Sequence, residues 1–140
     1  MANYEIPSLA FHHIGVRVQD FEKEKEFFIN GLGMKPFTSW GGPDRQIQLL
    51  EMGNGGMVEL FSGGSGEGAA NERFIHFAMQ VDDVETAFRK AIDAGASCVR
   101  PVSTVALDSH PIRLTVQCGF IRTPGGAELE FFRVLKAEKE

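Results

Sequence analysis

The sequence has little that would tie it to a membrane, to nucleic acid or to a disulfide framework. Its 140 residues contain no apolar run near the roughly 20 needed to span a bilayer. The opening MANYEIPSLAF lacks the basic flank and apolar stretch of a secretory signal. Lys and Arg number 14 against 19 acidic residues and form no cluster, which leaves no basic face for phosphates. The two cysteines, Cys98 and Cys118, are not in CxxC spacing and read as reduced packing residues. Cys118 fits this reading best, inside the alternating series Ile112, Leu114, Val116, Cys118, Phe120. The expectation is a cytoplasmic protein that meets a small molecule, with neither nucleic acid nor membrane as partner.

What is present is an ordinary globular balance, 43% hydrophobic and 24% charged, on a chain long enough for one domain over 1–140 or for two half-sized units sharing a core. An internal duplication organises it. FHHIGVRVQDF opens one unit at Phe11 and FIHFAMQVDDV opens another at Phe74, an offset of 63 residues. Both openings alternate with period two, as a strand does. His12, Ile14, Val16 and Val18 share one mostly apolar face with their counterparts Ile75, Phe77, Met79 and Val81. The opposite face runs His13, Gly15, Arg17 in the first unit and His76, Ala78, Gln80 in the second. The shared order of histidine, small residue and polar residue pairs His13, not His12, with His76.

A helix follows each opening strand. In the second unit Asp82 is the expected cap, with Glu85 at the capping-box position, a stripe of Val84, Ala87, Phe88, Ala91 and Ile92, and Gly95 as the stop. In the first, Asp20 caps, Phe21, Phe28, Ile29 and Leu32 form the stripe, and Gly31 or Gly33 supplies the exit. Three strands then follow in each unit, at about 34–40, 46–52 and 57–61, and at about 97–102, 112–122 and 127–134, with TPGG making the last turn. The units therefore cover about 8–62 and 72–135, and SGGSGEGAANE between them reads as a flexible connector. They end alike, VELF and LEFF, with Glu59 and Glu130 separated by 71 residues. The second unit is thus longer by 8, and the gain is expected around Ser103–His110.

Alternation turns Val58, Leu60, Leu129 and Phe131 to the core, and Glu59 and Glu130 the other way. Each unit then offers one histidine and one glutamate on the face away from the helices. Any one of them alone reads as a packing or surface residue; the same pair recurring in both halves does not. Two carboxylates and two imidazoles converging on a concave sheet are costly without a positive charge between them, and a divalent metal is the simplest such charge. This donor set suits nickel, zinc or cobalt, with manganese or iron also compatible. A sphere of about six positions would leave about two for water or substrate, as in a catalytic centre.

These motifs, from HHIGVRVQD through FFINGLGMK, MVELF and FIHFAMQVDD to FIRTPGGAELEFF, resemble the vicinal oxygen chelate superfamily and, within it, the glyoxalase I (lactoylglutathione lyase) family. The resemblance implies an α+β fold in which two βαβββ repeats form a cupped eight-stranded mixed sheet with helices on its outer face. It puts His13, Glu59, His76 and Glu130 on the four metal-ligand positions. Glu59 favours the glyoxalase branch over relatives with glutamine there or with a three-ligand site. The implied chemistry moves a proton next to a carbonyl through a metal-stabilised enediolate. Glu130 would be the base, with Glu59 as ligand and second proton carrier. Arg17 matches an arginine that contacts the carboxylate of glutathione, although its residue type alone also reads as a surface ion pair. Trp40 and Phe61 are candidate pocket walls that read equally as core. Gly63 stands where glyoxalase I carries an asparagine that helps to hold glutathione, so the resemblance stops short of that contact, and glutathione or another thiol stays an open co-substrate. A homodimer is implied by the family alone. The alternatives are another enzyme of the superfamily, an epimerase or an extradiol dioxygenase, and a non-catalytic drug- or toxin-binding resistance protein.

Overall fold

The computed structural model describes residues 5–64, 74–122, 124 and 127–140. Most of the connector and of the TPGG turn lies outside these residues. Among the described residues the elements run β1 (Ala10–Arg17), α1 (Phe21–Glu26) continued by a π-helical turn (Phe27–Gly31), β2 (Lys35–Gly42), β3 (Arg45–Glu51) and β4 (Met57–Phe61). The second series is β5 (Phe74–Gln80), α2 (Val84–Asp93), β6 (Ser97–Ala106), β7 (Ile112–Arg122) and β8 (Glu128–Lys139). The strands form one mixed sheet in the order β2-β3-β4-β1-β5-β8-β7-β6. Within each unit the first and last strands pair in parallel, and β1 pairs antiparallel with β5 to join the halves. The sheet curls into a half-barrel, so the expected α+β fold with repeated βαβββ order is the one observed. Among the described residues no helix is long and apolar enough to cross a membrane.

The helices pack on the outer face because their stripes match the outward apolar rows. Val84 and Ala87 of α2 bury against Ile121 and Phe131, with Phe88, Ala91 and Ile92 alongside. Phe28 and Ile29 pack on Met34, Leu50 and Val58. Leu32 departs from its expected place and is 59% exposed. The π-helical turn adds a residue to the last turn and rotates Leu32 outward before the chain leaves at Gly33, φ +76. The cap of α2 is also corrected, because Asp83, not Asp82, accepts the backbone N–H of Thr86. Cys98 is exposed on β6 rather than packed, whereas Cys118 is buried.

The inner face carries its own apolar cluster, Leu49, Leu114, Val116, Cys118 and Phe132, drawn from both halves. The halves meet where the long β6–β7 hairpin folds back over β2. Trp40 pairs with Ile47 as Ser103 pairs with Cys118, offsets of 63 and 71, so the extra 8 residues lie between Ser103 and Cys118, as expected. Part of this gain lengthens the two strands. The rest reaches across the cup: Ser39 and His110 exchange backbone hydrogen bonds, and buried Thr38 donates its hydroxyl to the Ile112 carbonyl at 2.6 Å. Strand β8 also runs past Val134 to Lys139, because the lengthened β7 supplies it with a partner.

Thr38→Val removes this hydroxyl from the seam without changing the size of the side chain much; the Ile112 N–H loses Thr38 as its acceptor, while the Ile112 carbonyl keeps only the Ser109 hydroxyl of its two side-chain donors. Chemical denaturation is expected to show a loss of about 1–3 kcal/mol. An unchanged midpoint would mean that the seam does not hold the halves together.

Candidate metal centre

Each of the four central strands contributes one polar side chain to a single point. Gly15 on β1 lies between Glu59 of β4 and His76 of β5, and Ala78 on β5 lies between His13 of β1 and Glu130 of β8. The two small residues leave room above themselves for the longer side chains on either side. A Cβ on Gly15 would stand 3.0 Å from His76 Cε1 and 3.3 Å from Phe61 Cε1. This is the physical reason for the histidine-small-polar order in both repeats.

The convergence is tight. Nε2 of His13 lies 3.1 Å from Nε2 of His76. Glu59 Oε1 is 3.2 Å from the first and 3.1 Å from the second, and Glu130 Oε1 is 3.2 Å from both. All four residues are buried. Metal–ligand distances of about 2.0–2.2 Å place neighbouring donor atoms about 3.0–3.5 Å apart. The observed separations fall in that range. Buried Glu59 Oε1 nevertheless has no hydrogen-bond partner, although two imidazole nitrogens are near it. The nitrogens and the oxygen therefore aim past one another toward a shared centre, as ligands of one cation do. His13, Glu59 and His76 could hold a metal ion, and Glu130 meets the same two nitrogens.

The electrostatics agree with this geometry. Burial alone would lower the His13 imidazole, but the adjoining Glu130 and Glu59 carboxylates hold it up at about 8. His76 is opposed by burial in the same way and raised by the same carboxylates to about 10. Burial pushes Glu59 up, yet its two histidines take it down to about 2, and Glu130 is lowered in the same way. The carboxylates thus demand positive charge at the centre. Two imidazolium N–H groups meeting 3.1 Å apart would repel, whereas one dication satisfies both carboxylates and leaves both nitrogens free to ligate.

His12 was expected on the apolar face, but β1 bulges against β5 between Phe11 and His13, which turns the His12 ring to the site side. Its Nδ1 is 2.7 Å from Nδ1 of His13, and its ring lies 4.5 Å from that of Phe132. Burial, followed by the charge of His13, lowers His12 to about 4, so it stays neutral and can accept the His13 Nδ1–H. In the neutral His13 ring that hydrogen bond keeps the proton on Nδ1, which leaves Nε2 free to ligate and pointed at the centre. Alternation alone could not show this.

The centre opens into a cavity of about 340 Å³ lined by Arg17, Trp40 and Phe61 together with the four central residues. Arg17 sits with its guanidinium carbon 5.7 Å from the Phe61 ring, and Phe61 packs edge-on against His76 at 6.1 Å. Among the described residues no carboxylate pairs with Arg17. Phe120, from the alternating apolar series of β7, also lines this cavity, as do Arg45 and Arg100, which no local pattern in the sequence marked. Gly63, at the position of the missing asparagine, has φ +95, a conformation that side chains resist.

Gly15→Ala is expected to push the His76 ring aside by a few tenths of an ångström and to weaken divalent-metal affinity by about 10-fold or more. Competition with a chromophoric chelator measures it. Unchanged affinity would mean that His76 is not held to the centre through this contact.

Comparison with known proteins places this geometry in context. No curated protein sequence matches the chain. Solved structures of similar fold include a hypothetical protein from Bacillus halodurans C-125, with TM-score 0.72 and 21% identity over 94% of this chain and 99% of the other. Methylmalonyl-CoA epimerase from Mycobacterium tuberculosis has TM-score 0.70 and 17% identity, covering 94% and 91%. A mutant 4-hydroxymandelate synthase from Streptomyces coelicolor has TM-score 0.67 and 15% identity, covering 96% of this chain and 51% of the other. These identities speak for the fold alone. The family model described as Glyoxalase/Bleomycin resistance protein/Dioxygenase superfamily matches residues 10–131, and the chain belongs to that superfamily.

Proposed function

We propose that this protein is a divalent-metal-dependent isomerase or lyase of the glyoxalase I type, which moves a proton on carbon next to a carbonyl. The observation that carries this reading is the buried meeting of two imidazoles and two carboxylates, with Glu59 Oε1 lacking any hydrogen bond. His13, Glu59, His76 and Glu130 would hold the ion. When bound, it would act as a Lewis acid toward the substrate oxygens and stabilise the negative charge that develops on them.

The remaining work falls to the chain's own groups. Glu130 takes the proton from the carbon beside the carbonyl, and Glu59, its counterpart in the other half, serves as ligand and second proton carrier. Return of the proton to the opposite face of the same carbon, from Glu59, is epimerisation, and its return to the neighbouring atom is isomerisation, so the same first step serves both outcomes. The presence of an epimerase among the similar folds supports this class of chemistry. Arg17 binds a substrate carboxylate at the cavity mouth, and Trp40 and Phe61 wall the substrate from water. With Gly63 offering no side chain, glutathione or another thiol loses one contact, and methylglyoxal assayed with and without glutathione tests that co-substrate directly. All four central residues come from one chain, so a homodimer is not needed to complete the centre. We place the protein in the cytoplasm.

Elemental analysis is expected to find one divalent ion per chain, lost in His76→Ala and in Glu130→Ala. The pH dependence has a definite sign. In the metal-free protein His13 and His76 are raised above the ordinary 6.5 to about 8 and about 10. Their protonated forms therefore stabilise the metal-free fold fully below about pH 6.5, and that contribution fades as pH rises through 8 and toward 10. A metal ion must displace these protons, so uptake at pH 7 releases acid and affinity climbs with pH over the same window. Metal binding without proton release would contradict the assignment.

Transfer of solvent deuterium into a substrate carbon, followed by NMR, tests the proton step. Glu130→Gln is expected to slow it by at least about 100-fold. Turnover that consumes oxygen and exchanges no proton would favour the dioxygenase alternative instead.

A further inference from the structure

The strands alternate in direction so that the ends of β1, β2, β4 and β7 lie at one rim of the cup together with the starts of β3, β5, β6 and β8. Three arginines line the cavity at that rim: Arg17 from β1, Arg45 from β3 and Arg100 from β6. Among the described residues none of the three forms an ion pair. The rim's own acid, Glu128, faces Arg122 at 3.6 Å instead. A chain of formal charge -5 thus keeps three uncompensated guanidinium groups around one cavity.

Their placement is specific. Arg17 stands over Phe61, and Arg100 stands over Phe120 with its guanidinium carbon 5.2 Å from the ring. Both rings meet His76 edge-on, at 6.1 Å and 5.5 Å, so one cation from each half of the molecule flanks the same central histidine. Below the rim the walls are apolar, with Leu49, Leu114, Val116 and Phe132 forming a buried cluster. Like charges gathered around one mouth repel one another and focus a positive field into the apolar cup below, which an anionic ligand relieves.

We infer that the substrate is a small organic anion, bearing a carboxylate or phosphate group at the end remote from the four-residue centre, and that Arg100 reads this group together with Arg17 and Arg45. This deepens the proposed function by naming its substrate class, and it rests on the cup being the substrate site. Arginine suits the task because its planar fork matches carboxylate and phosphate oxygens in pairs.

Trp40 is the chain's one tryptophan and lines the cavity, so its fluorescence reports occupancy. Titrations with 3-phenylpropionate, phenyl phosphate and the neutral 3-phenylpropanamide, on zinc-loaded and zinc-free protein, test the inference. At least one anion is expected to bind about tenfold tighter than the amide in both forms, and the tighter of the two identifies the group. Arg100→Gln is expected to loosen that anion about tenfold and leave the amide within about twofold, with zinc uptake unchanged as the check on folding. Added salt should weaken the anions alone. Equal or undetectable binding of anions and amide would overturn the inference. So would a preference that vanishes with zinc and ignores Arg100→Gln, since the anion would then sit on the ion. A protein that takes up no zinc yet keeps an Arg100-dependent anion preference would support the inference while defeating the metal reading.

Discussion

Two carboxylates and two imidazoles held about 3 Å apart away from water form the constraint around which this molecule is arranged. Left to themselves the carboxylates would draw protons onto the histidines, and two charged rings would then face each other at 3.1 Å. A single doubly charged ion relieves both problems at once. The backbone prepares for it by pairing β1 with β5 at the molecular centre, with Gly15 and Ala78 as the low points over which the four side chains close. Both helices are accordingly confined to the outer face, where Val58 and Phe131 meet them.

The cup is polarised along the strands. One end is filled by apolar side chains from both halves and crossed by the lengthened β6–β7 hairpin, which ties to β2 through Thr38 and Ser39. The other end is open and ringed by arginines. A substrate entering there would lose water progressively as it descends, so polar interactions at the centre strengthen where the chemistry is proposed to occur. The Cys118 thiol on the cup wall is pushed up to about 11, mainly by burial, and so remains protonated and takes the part of a packing group.

Much of this was legible in the chain because the duplication repeats chemistry as well as shape. The recurrence of Phe, His, Val and Asp set His13 against His76, and regular alternation in β4 and β8 sorted Glu59 and Glu130 from Val58, Leu60, Leu129 and Phe131. Where alternation fails, so did the reading: the bulge in β1 carries no residue-type mark, and His12 was put on the wrong face. Asp82 and Asp83 are adjacent and equally suited to capping, and only the contact of Asp83 with both the backbone and the hydroxyl of Thr86 separates them. Leu32 was displaced by a π-helical turn that helical periodicity cannot anticipate. Arg45 and Arg100 are far apart in the chain and meet only through the curl of the whole sheet, so no local pattern could have joined them.

X-ray absorption at the metal edge of the zinc-loaded protein addresses the central claim most directly, because it sees the ion's own neighbours. A single site with two imidazole nitrogens and two carboxylate oxygens at about 2.0–2.2 Å is the predicted spectrum. A shell without imidazole scattering, or one unchanged when His13 and His76 are both replaced by alanine, would contradict it.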